Sequence, residues 1–293
     1  YLNSMFSLRY TIFPLWNARS VKPDTRIVLA PRGMLHGGAL ALKARKKNFF
    51  LWLMRRIGAH EHILFQATDA QEVVDIRQAF GPGVQVTQVP NLPRLQQPDF
   101  APLGKHAGEL RLLFLSRISE KKGVHYLLER LMGQTASIQL DLYGPDEEPG
   151  YWERCQAIID RLPREVRVRK CAPVLPEEIP ALMQGYHAFV MPTAGENFGH
   201  AIFEALAAGR PVLLSDQHPW KGLEAAKAGF SIPLEQPKDF EMAISKLAKM
   251  DGETFQGWAQ GAYAYAAAYL GGDNLIQPVL EMLNNQGRDD RSA

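Results

Sequence analysis

The chain has 293 residues, which exceeds one typical domain and favours two. Its apolar fraction of 46% and charged fraction of 22% are ordinary for a globular protein, and its net charge of +2 offers nucleic acid no strong whole-molecule field. Two cysteines are too few for a disulfide scaffold, which favours a cytoplasmic protein, and no apolar run reaches the roughly 20 residues that span a bilayer.

The first third of the chain predicts part of an α/β domain. It begins with Tyr1 rather than Met, inside residues with a strand-like pattern (1–3), so we expect a truncated N-terminus and an incomplete first domain. Short apolar runs alternate with longer amphipathic stretches, which is typical of parallel sheets. The predicted strands are 26–30, 62–66 and 84–89.

Residues 43–56 combine six Lys and Arg residues with a strong apolar pattern. The predicted core stripe of this helix is Leu42, Phe49, Phe50, Leu53 and Ile57. Trp52 and the flanking cations are left outside that stripe. Core packing with a solvated basic face is the preferred interpretation, and contact with anionic lipid headgroups is the alternative.

A second α/β series follows a proline-rich stretch, from about 92 to 108, that reads as a linker. Helical patterns separate its strands, which predicts a doubly wound domain whose ligand crevice lies at the carboxyl ends of the strands. Two helical stretches, 255–270 and 274–283, close the chain. The predicted strands are 111–116, 138–143, 166–169, 188–191 and 211–215.

Two glutamates, with seven residues between them, mark the point where a loop turns into a helix. Glu196 lies in the loop, and Glu204 lies about two turns into the helix. Gly199 between them leaves backbone N–H groups open at the helix N-terminus, where a phosphate binds well. Two hydroxyl acceptors beside an anion site suit a nucleotide sugar.

Arg117 and Lys122 follow the first strand of the second series, around a turn that Gly123 closes. A departing nucleoside diphosphate needs positive charge as its bond to the sugar breaks. A guanidinium and an ammonium supply that charge without a metal, and no Asp-x-Asp metal motif occurs in the body of the chain. A solvated charge cluster beside Glu120 is the alternative.

These segments, in their order along the chain, resemble glycosyltransferase family 4, whose members are retaining enzymes with the two-domain GT-B fold. The resemblance covers nearly the whole chain. It implies an α/β fold of two Rossmann-like doubly wound domains, the first incomplete. It divides the chain into an acceptor-side domain (1–96), a donor-binding domain (97–270) and a returning helix with a tail (271–293). The matching segments are 30–35, 89–91, 113–124, 173–182, 195–204, 218–223 and 228–230.

The resemblance also implies roles for the site residues. Arg117 and Lys122 act on the donor phosphates, Glu196 lies near the transferred sugar, and Glu204 grips the ribose hydroxyls. The base lies against the loop around Val174. The residues expected to act mainly through backbone N–H groups are Asn197, Phe198 and Gly199.

The acceptor side departs from the family pattern. Where many members carry a histidine, this chain has Arg32, and His36 follows four residues later. An arginine is no general base at neutral pH, so we expect Arg32 to steady the donor phosphate or an anionic acceptor. A lone loop histidine is more often solvated than catalytic. The family's glycine-rich first loop lies outside this chain, which puts catalysis by these residues alone in doubt.

The sequence therefore predicts a hexosyltransferase that uses a UDP-, GDP- or ADP-sugar, needs no metal or other cofactor, and acts on a glycan or lipid-linked acceptor with retention. We expect no nucleic acid partner. We expect a cytoplasmic protein, which peripheral contact through 43–56 would hold at the inner face of the cell membrane. A non-catalytic nucleotide-sugar-binding partner and a sugar-nucleotide epimerase of the same architecture remain alternatives.

Overall fold

The computed structural model describes residues 1–21, 25–37, 40, 44–272 and 275–284. The chain divides into two compact units, of which unit 1 comprises 1–92 with 273–293 and unit 2 comprises 93–272. The strands are β1 (Ile27–Leu29), β2 (Ile63–Ala67), β3 (Val86–Gln88), β4 (Glu109–Leu115), β5 (Ser137–Tyr143), β6 (Val166–Cys171), β7 (Ala188–Met191), β8 (Val212–Leu214) and β9 (Gly229–Ser231).

Helices follow most strands along the chain. They are α1 (Phe13–Val21), α2 (Ala44–Arg56), α3 (Ala70–Phe80), α4 (Val124–Leu131), α5 (Tyr151–Ile159), α6 (Ile179–Gln184), α7 (His200–Ala207), α8 (Pro237–Lys249), α9 (Gly252–Leu270) and α10 (Gln277–Asn284). Within the described ranges, none of these helices is both long enough and apolar enough to cross a bilayer.

Unit 1 is built on a parallel sheet in the order β1-β2-β3. The strand-like start of the chain forms only a single bridge, between Leu2 and Leu29, beside β1. The last helix, α10, packs onto this unit, because Met282 lies against Val28 and Val89. The strands β1 and β2 thus share a small apolar cluster with the C-terminal helix, since Leu64 of β2 also packs there.

The core stripe predicted for α2 is wrong for most of its residues. The helix buries Leu51 and Met54, and of the predicted stripe only Phe50, among the described residues, packs against the core. Phe49, Leu53 and Ile57 are 63%, 39% and 59% exposed. Leu42 lies outside the described residues. The segment 49–54 is apolar on every side, so periodicity alone cannot select the buried face, and the packing surface of the sheet decides it.

Unit 2 contains a six-stranded parallel sheet in the order β6-β5-β4-β7-β8-β9. The inner strands β7 and β8 are continuous buried apolar runs, whereas β6, at the edge of the sheet, alternates valines with exposed or half-buried cations. The chain winds outward from β4 through β5 to β6, then returns to pair β7 with the other side of β4. That reversal creates a crevice between the loops after β4 and β7, where ligands of such sheets bind.

Candidate active site at the switch point of unit 2

The loops after β4 and β7 pack directly on each other. The backbone N–H of Ala194 donates to the carbonyl of Lys121 at 2.7 Å. Gly123 has φ +76°, and a Cβ placed there would lie 2.1 Å from the carbonyl oxygen of Pro192. Only glycine permits the two loops to come this close, so Gly123 is required for their contact at the base of the crevice.

Lys122 and Glu196 meet across this contact. The Lys122 ammonium lies 2.5 Å from Glu196 Oε2, and the two side chains are only 9% and 20% exposed. A cation this buried needs a charged partner, and here the neighbouring loop supplies one. The structure therefore brings together two of the predicted site residues, 74 positions apart, at the mouth of the switch point.

The loop that carries Glu196 is anchored from beneath. The Glu196 N–H donates to the carbonyl of Gln217 at 2.9 Å, and the Trp220 indole donates to the carbonyl of Phe198 at 2.7 Å. The Phe198 ring is buried and meets Trp220 edge-on at 5.1 Å. The Phe198 side chain thus helps to hold the loop in place. The sequence analysis expected only a backbone role for this residue.

The N-terminus of α7 begins at a glycine. Gly199 precedes the helix with φ +75° and contributes no side-chain cap, and the first turn of the helix holds no acidic residue. Asn197 is exposed beside it. Backbone N–H groups at the positive end of a helix dipole, with no acidic residue in the first turn, favour a phosphate, and here they lie next to the Lys122–Glu196 pair.

Glu204, in the second turn of α7, is half-buried. Burial raises the pKa of its carboxyl group, and the positive charge of Arg94 partly opposes that rise. Arg94 also donates to the carbonyl of Pro176 at 3.0 Å, in the loop that contains half-buried Val174. Arg94 was missed by the sequence reasoning, which assigned its proline-rich surroundings to a linker.

Arg117 faces a different partner. Its guanidinium forms an ion pair with Glu147, in the loop after β5, and its side chain is 56% exposed. The loops after β4 and β5 are in close contact, because a Cβ on Gly144 would lie 1.9 Å from the carbonyl of Ser116. Glu147 was also missed, although the Gly144-Pro145 turn at a strand end is a signal for a ligand loop.

In unit 1, Arg32 is held by local contacts. It has φ +55°, an uncommon conformation for a side-chain-bearing residue. Its guanidinium donates to Asn3 Oδ1 at 2.8 Å and to the Tyr1 hydroxyl at 2.7 Å. The next residue, Gly33, donates its N–H to Glu72 on α3 at 2.6 Å. Arg32 thus ties the loop after β1 to the start of the chain.

His36, in the same loop, has a carboxylate partner. Its Nδ1 lies 3.0 Å from Asp75 Oδ2, and Gln71 donates to the other oxygen of that carboxylate at 3.1 Å. The His36 side chain is 61% exposed. Asp75 was missed, although its position one turn after Glu72 on a helix following β2 places it at the same sheet edge.

No group of three or more His, Cys, Asp or Glu side chains arranged to hold a metal ion occurs among the residues that the structure describes.

Comparison by sequence matches residues 109–250 to the family described as Glycosyl transferases group 1. This segment comprises most of unit 2 and includes all of the residues discussed at the switch point except Arg94. A curated relative, D-inositol 3-phosphate glycosyltransferase from Corynebacterium urealyticum, is 26% identical over 92% of this chain. The chain spans 66% of that relative's length.

Comparison by structure finds solved proteins with a similar fold. WaaG, a glycosyltransferase involved in lipopolysaccharide biosynthesis, superimposes with TM-score 0.69 at 15% identity, covering 95% of this chain and 82% of its own. Anabaena HepE, in complex with UDP and glucose, gives 0.68 at 18% identity, with 95% and 76% covered. Sucrose-phosphate synthase from Thermosynechococcus elongatus gives 0.67 at 16%, with 92% and 71% covered. The expected GT-B fold class is confirmed.

Proposed function

We propose that this chain carries a group 1 glycosyltransferase activity of the family 4 type. In the proposed reaction, a hexose-type sugar passes from a nucleoside diphosphate sugar to a glycan or lipid-linked acceptor with retention at the anomeric carbon. The observation that carries the proposal is the Lys122–Glu196 pair at the switch point, beside the N-terminus of α7, which follows a glycine and has no acidic residue in its first turn. The match of residues 109–250 to the glycosyl transferases supports the same reaction class.

The charges at this point suit a diphosphate leaving group. Negative charge grows on the diphosphate as the glycosidic bond breaks, and groups already in place stabilise it without reorganising. The Lys122 ammonium and the α7 N–H groups are such groups. Arg117 adds a second cation when a phosphate replaces Glu147 as its partner, since both side chains are partly solvated.

The remaining residues suit the nucleoside and the sugar. In this proposal Glu204 accepts hydrogen bonds from the ribose hydroxyls, and the loop around Val174 lies against the base. The bond of Arg94 to the carbonyl of Pro176, together with the effect of its charge on Glu204, links these two places. Glu196 lies beside the transferred sugar, and its carboxylate pairs with the Lys122 ammonium.

The donor side is tested by calorimetry with UDP, GDP and ADP on the chain and on Lys122→Met. A charge-assisted hydrogen bond contributes roughly 1.5–3 kcal/mol, so we expect the preferred nucleotide to bind Lys122→Met at least about ten-fold more weakly. The matched control is Lys238→Met, which removes an exposed lysine of the same unit. Absence of binding to all three nucleotides, or equal losses in both variants, would contradict the donor site.

Catalysis is separated from simple binding by product analysis. The nucleotide sugar that matches the preferred nucleotide is incubated with the chain and a panel of glycan acceptors. Retention is read from the anomeric configuration of the product by NMR. A chain that binds nucleotide but transfers no sugar is a binding protein, and an inverted product would refute the proposed mechanism.

A further inference from the structure

The small net charge of the chain conceals a strong asymmetry. Residues 1–60 hold 11 of the 33 Lys and Arg residues but only one of the 31 Asp and Glu residues, a net charge of +10. The other 233 residues hold 22 cations and 30 acids, a net charge of −8. The first 60 residues therefore form a basic segment that is attracted to anionic surfaces.

Within this segment, one face of α2 combines cations with exposed aromatic rings. Arg45, Phe49, Trp52 and Arg56 follow one another at intervals of four, three and four residues, and all four are exposed. Such spacing puts them on one side of the helix, opposite buried Leu51. We call these four residues the aromatic-basic face.

The rings of this face are well placed for an interface. Phe49 and Trp52 are 63% and 53% exposed, and they stack on each other with centroids 5.8 Å apart. Leu53 and Ile57 lie beside them, 39% and 59% exposed. No acidic residue occurs anywhere in α2, so nothing on the helix repels an anion. Exposed aromatic rings between cations are typical of helices that lie in a membrane interface.

The exposed apolar surface extends beyond α2 to the start of the chain. Phe6 meets Phe50 of α2 edge-on at 5.7 Å, and this contact joins α2 to the segment that leads into α1. Exposed apolar residues follow in that segment and in the first turn of α1, namely Leu8, Tyr10, Phe13 and Trp16, at 63%, 68%, 63% and 74%. An apolar surface of this extent marks an interaction site.

We propose that the aromatic-basic face of α2 docks unit 1 onto an anionic lipid surface. Phe49 and Trp52 enter the boundary between headgroups and acyl chains, while Arg45 and Arg56 contact lipid phosphates. A soluble polyanion would engage the cations but would leave Leu53 and Ile57 in water, whereas a bilayer covers both. The proposal does not depend on the donor site, which lies in unit 2.

The test is vesicle flotation of the chain without nucleotide. We expect it to float with vesicles of phosphatidylcholine and phosphatidylglycerol, to stay behind with phosphatidylcholine alone, and to be released by high salt, because the cations select the anionic lipid. The double variant Arg45→Glu/Arg56→Glu should lower the bound fraction about ten-fold or more. The double variant Arg161→Glu/Arg167→Glu makes the same charge change at exposed positions of unit 2 and should bind like the parent.

Fluorescence tests the aromatic residues separately. The chain has five tryptophans, so the blue shift on adding anionic vesicles is compared between the parent and Trp52→Phe, and the part due to Trp52 should disappear. Equal flotation with both vesicle types, equal losses in both charge variants, or an unchanged blue shift in Trp52→Phe would overturn the proposal. Binding to heparin without binding to anionic vesicles would overturn it in favour of a polyanion partner.

Discussion

Glu204 is a half-buried carboxylate in a helix that is otherwise largely buried. Its carboxyl group has a raised pKa because protein surrounds it, so the site favours ligands that donate hydrogen bonds to it. A pair of ribose hydroxyls is such a ligand. The role of Glu204 can therefore be tested by nucleotide affinity alone, without an acceptor.

We expect Glu204→Ala to weaken binding of the preferred nucleoside diphosphate by about ten-fold or more, since a hydrogen bond to a charged group contributes roughly 1.5–3 kcal/mol. Glu204→Gln keeps one acceptor oxygen and should retain part of the affinity. Calorimetry measures both. The control is Glu235→Ala, an exposed position of the same unit. Parent-like affinity in Glu204→Ala would assign this residue to the packing of α7.

Two buried histidines make stability depend on pH. Burial lowers the pKa of His187 and of His218 to about 4. In the unfolded chain both histidines become protonated near pH 6.5, whereas in the folded chain they stay neutral until about pH 4. Between these values the unfolded state binds more protons than the folded state, so lowering the pH favours unfolding. The free energy of unfolding should be insensitive to these groups above about pH 6.5 and should decrease between pH 6.5 and 4.

Urea unfolding at a series of pH values measures this decrease. His218→Asn can keep the bond from the Trp220 N–H, which Nδ1 now accepts at 3.1 Å, while removing the titrating group. The slope between pH 6.5 and 4 should then be smaller than in the parent. His106→Asn, at an exposed position, should leave the slope unchanged. The lowered pKa of Asp141 acts below this range, because its ordinary value is already 3.8. A parent curve that is flat down to pH 4 would contradict the argument.

The sequence allowed us to predict residues whose chemistry is unusual for their position, but not their partners. Glu196 and Lys122 were both named, yet their contact depends on the pairing of β4 with β7, which no local pattern encodes. Asp75 and Glu147 escaped notice because an isolated carboxylate on a helix or loop is ordinary. Their importance comes from His36 and Arg117 lying opposite them in three dimensions.

At the scale of elements, the N-termini of α4 and α5 offer a controlled experiment. Gly123 and Gly150 precede these helices with the same φ of +76°, but a Cβ on Gly123 would strike Pro192, whereas one on Gly150 would meet nothing within 4 Å. Gly150→Ala should cost about 1–2 kcal/mol of folding stability, the conformational penalty alone. Gly123→Ala should cost more and should also weaken nucleotide binding, because the loop after β7 must shift.

Thermal or urea unfolding of the two variants, with nucleotide titrations on each, makes the comparison. Both variants carry the same backbone penalty, so the difference between their losses of folding stability measures the contribution of the contact between the two loops. Equal losses of stability, with nucleotide affinity unchanged in both, would show that the packing of the β4 and β7 loops does not define the site.

Most strands were predicted within two residues of their observed bounds, because buried parallel strands are short apolar runs between polar loops. The strand β9 was missed, since Gly229-Phe230-Ser231 contains one large apolar residue and begins with glycine. The buried face of α2 was predicted wrongly for the opposite reason, an excess of apolar residues. Prediction from apolar periodicity thus fails both in segments with too few apolar residues and in segments that are apolar on every side.

For the whole molecule, we predict that donor recognition needs no divalent metal. The positive charge for a diphosphate comes from Lys122, Arg117 and the N-terminus of α7. The preferred nucleotide should therefore raise the melting temperature of the chain equally in EDTA and in magnesium. A shift that appears only with magnesium or manganese would contradict this expectation.

The sheet order of unit 2 has a consequence for its synthesis on the ribosome. The central strand β4 pairs on one side with β5, which is synthesised soon afterwards. Its other neighbour is β7, and the partner of Leu112 in that strand, Ala188, is synthesised 76 residues later. Until then an apolar strand shows one unpaired edge, which invites pairing with another nascent chain. We expect truncated chains that end before β7 to aggregate, so the same winding order that forms the crevice also delays safe folding.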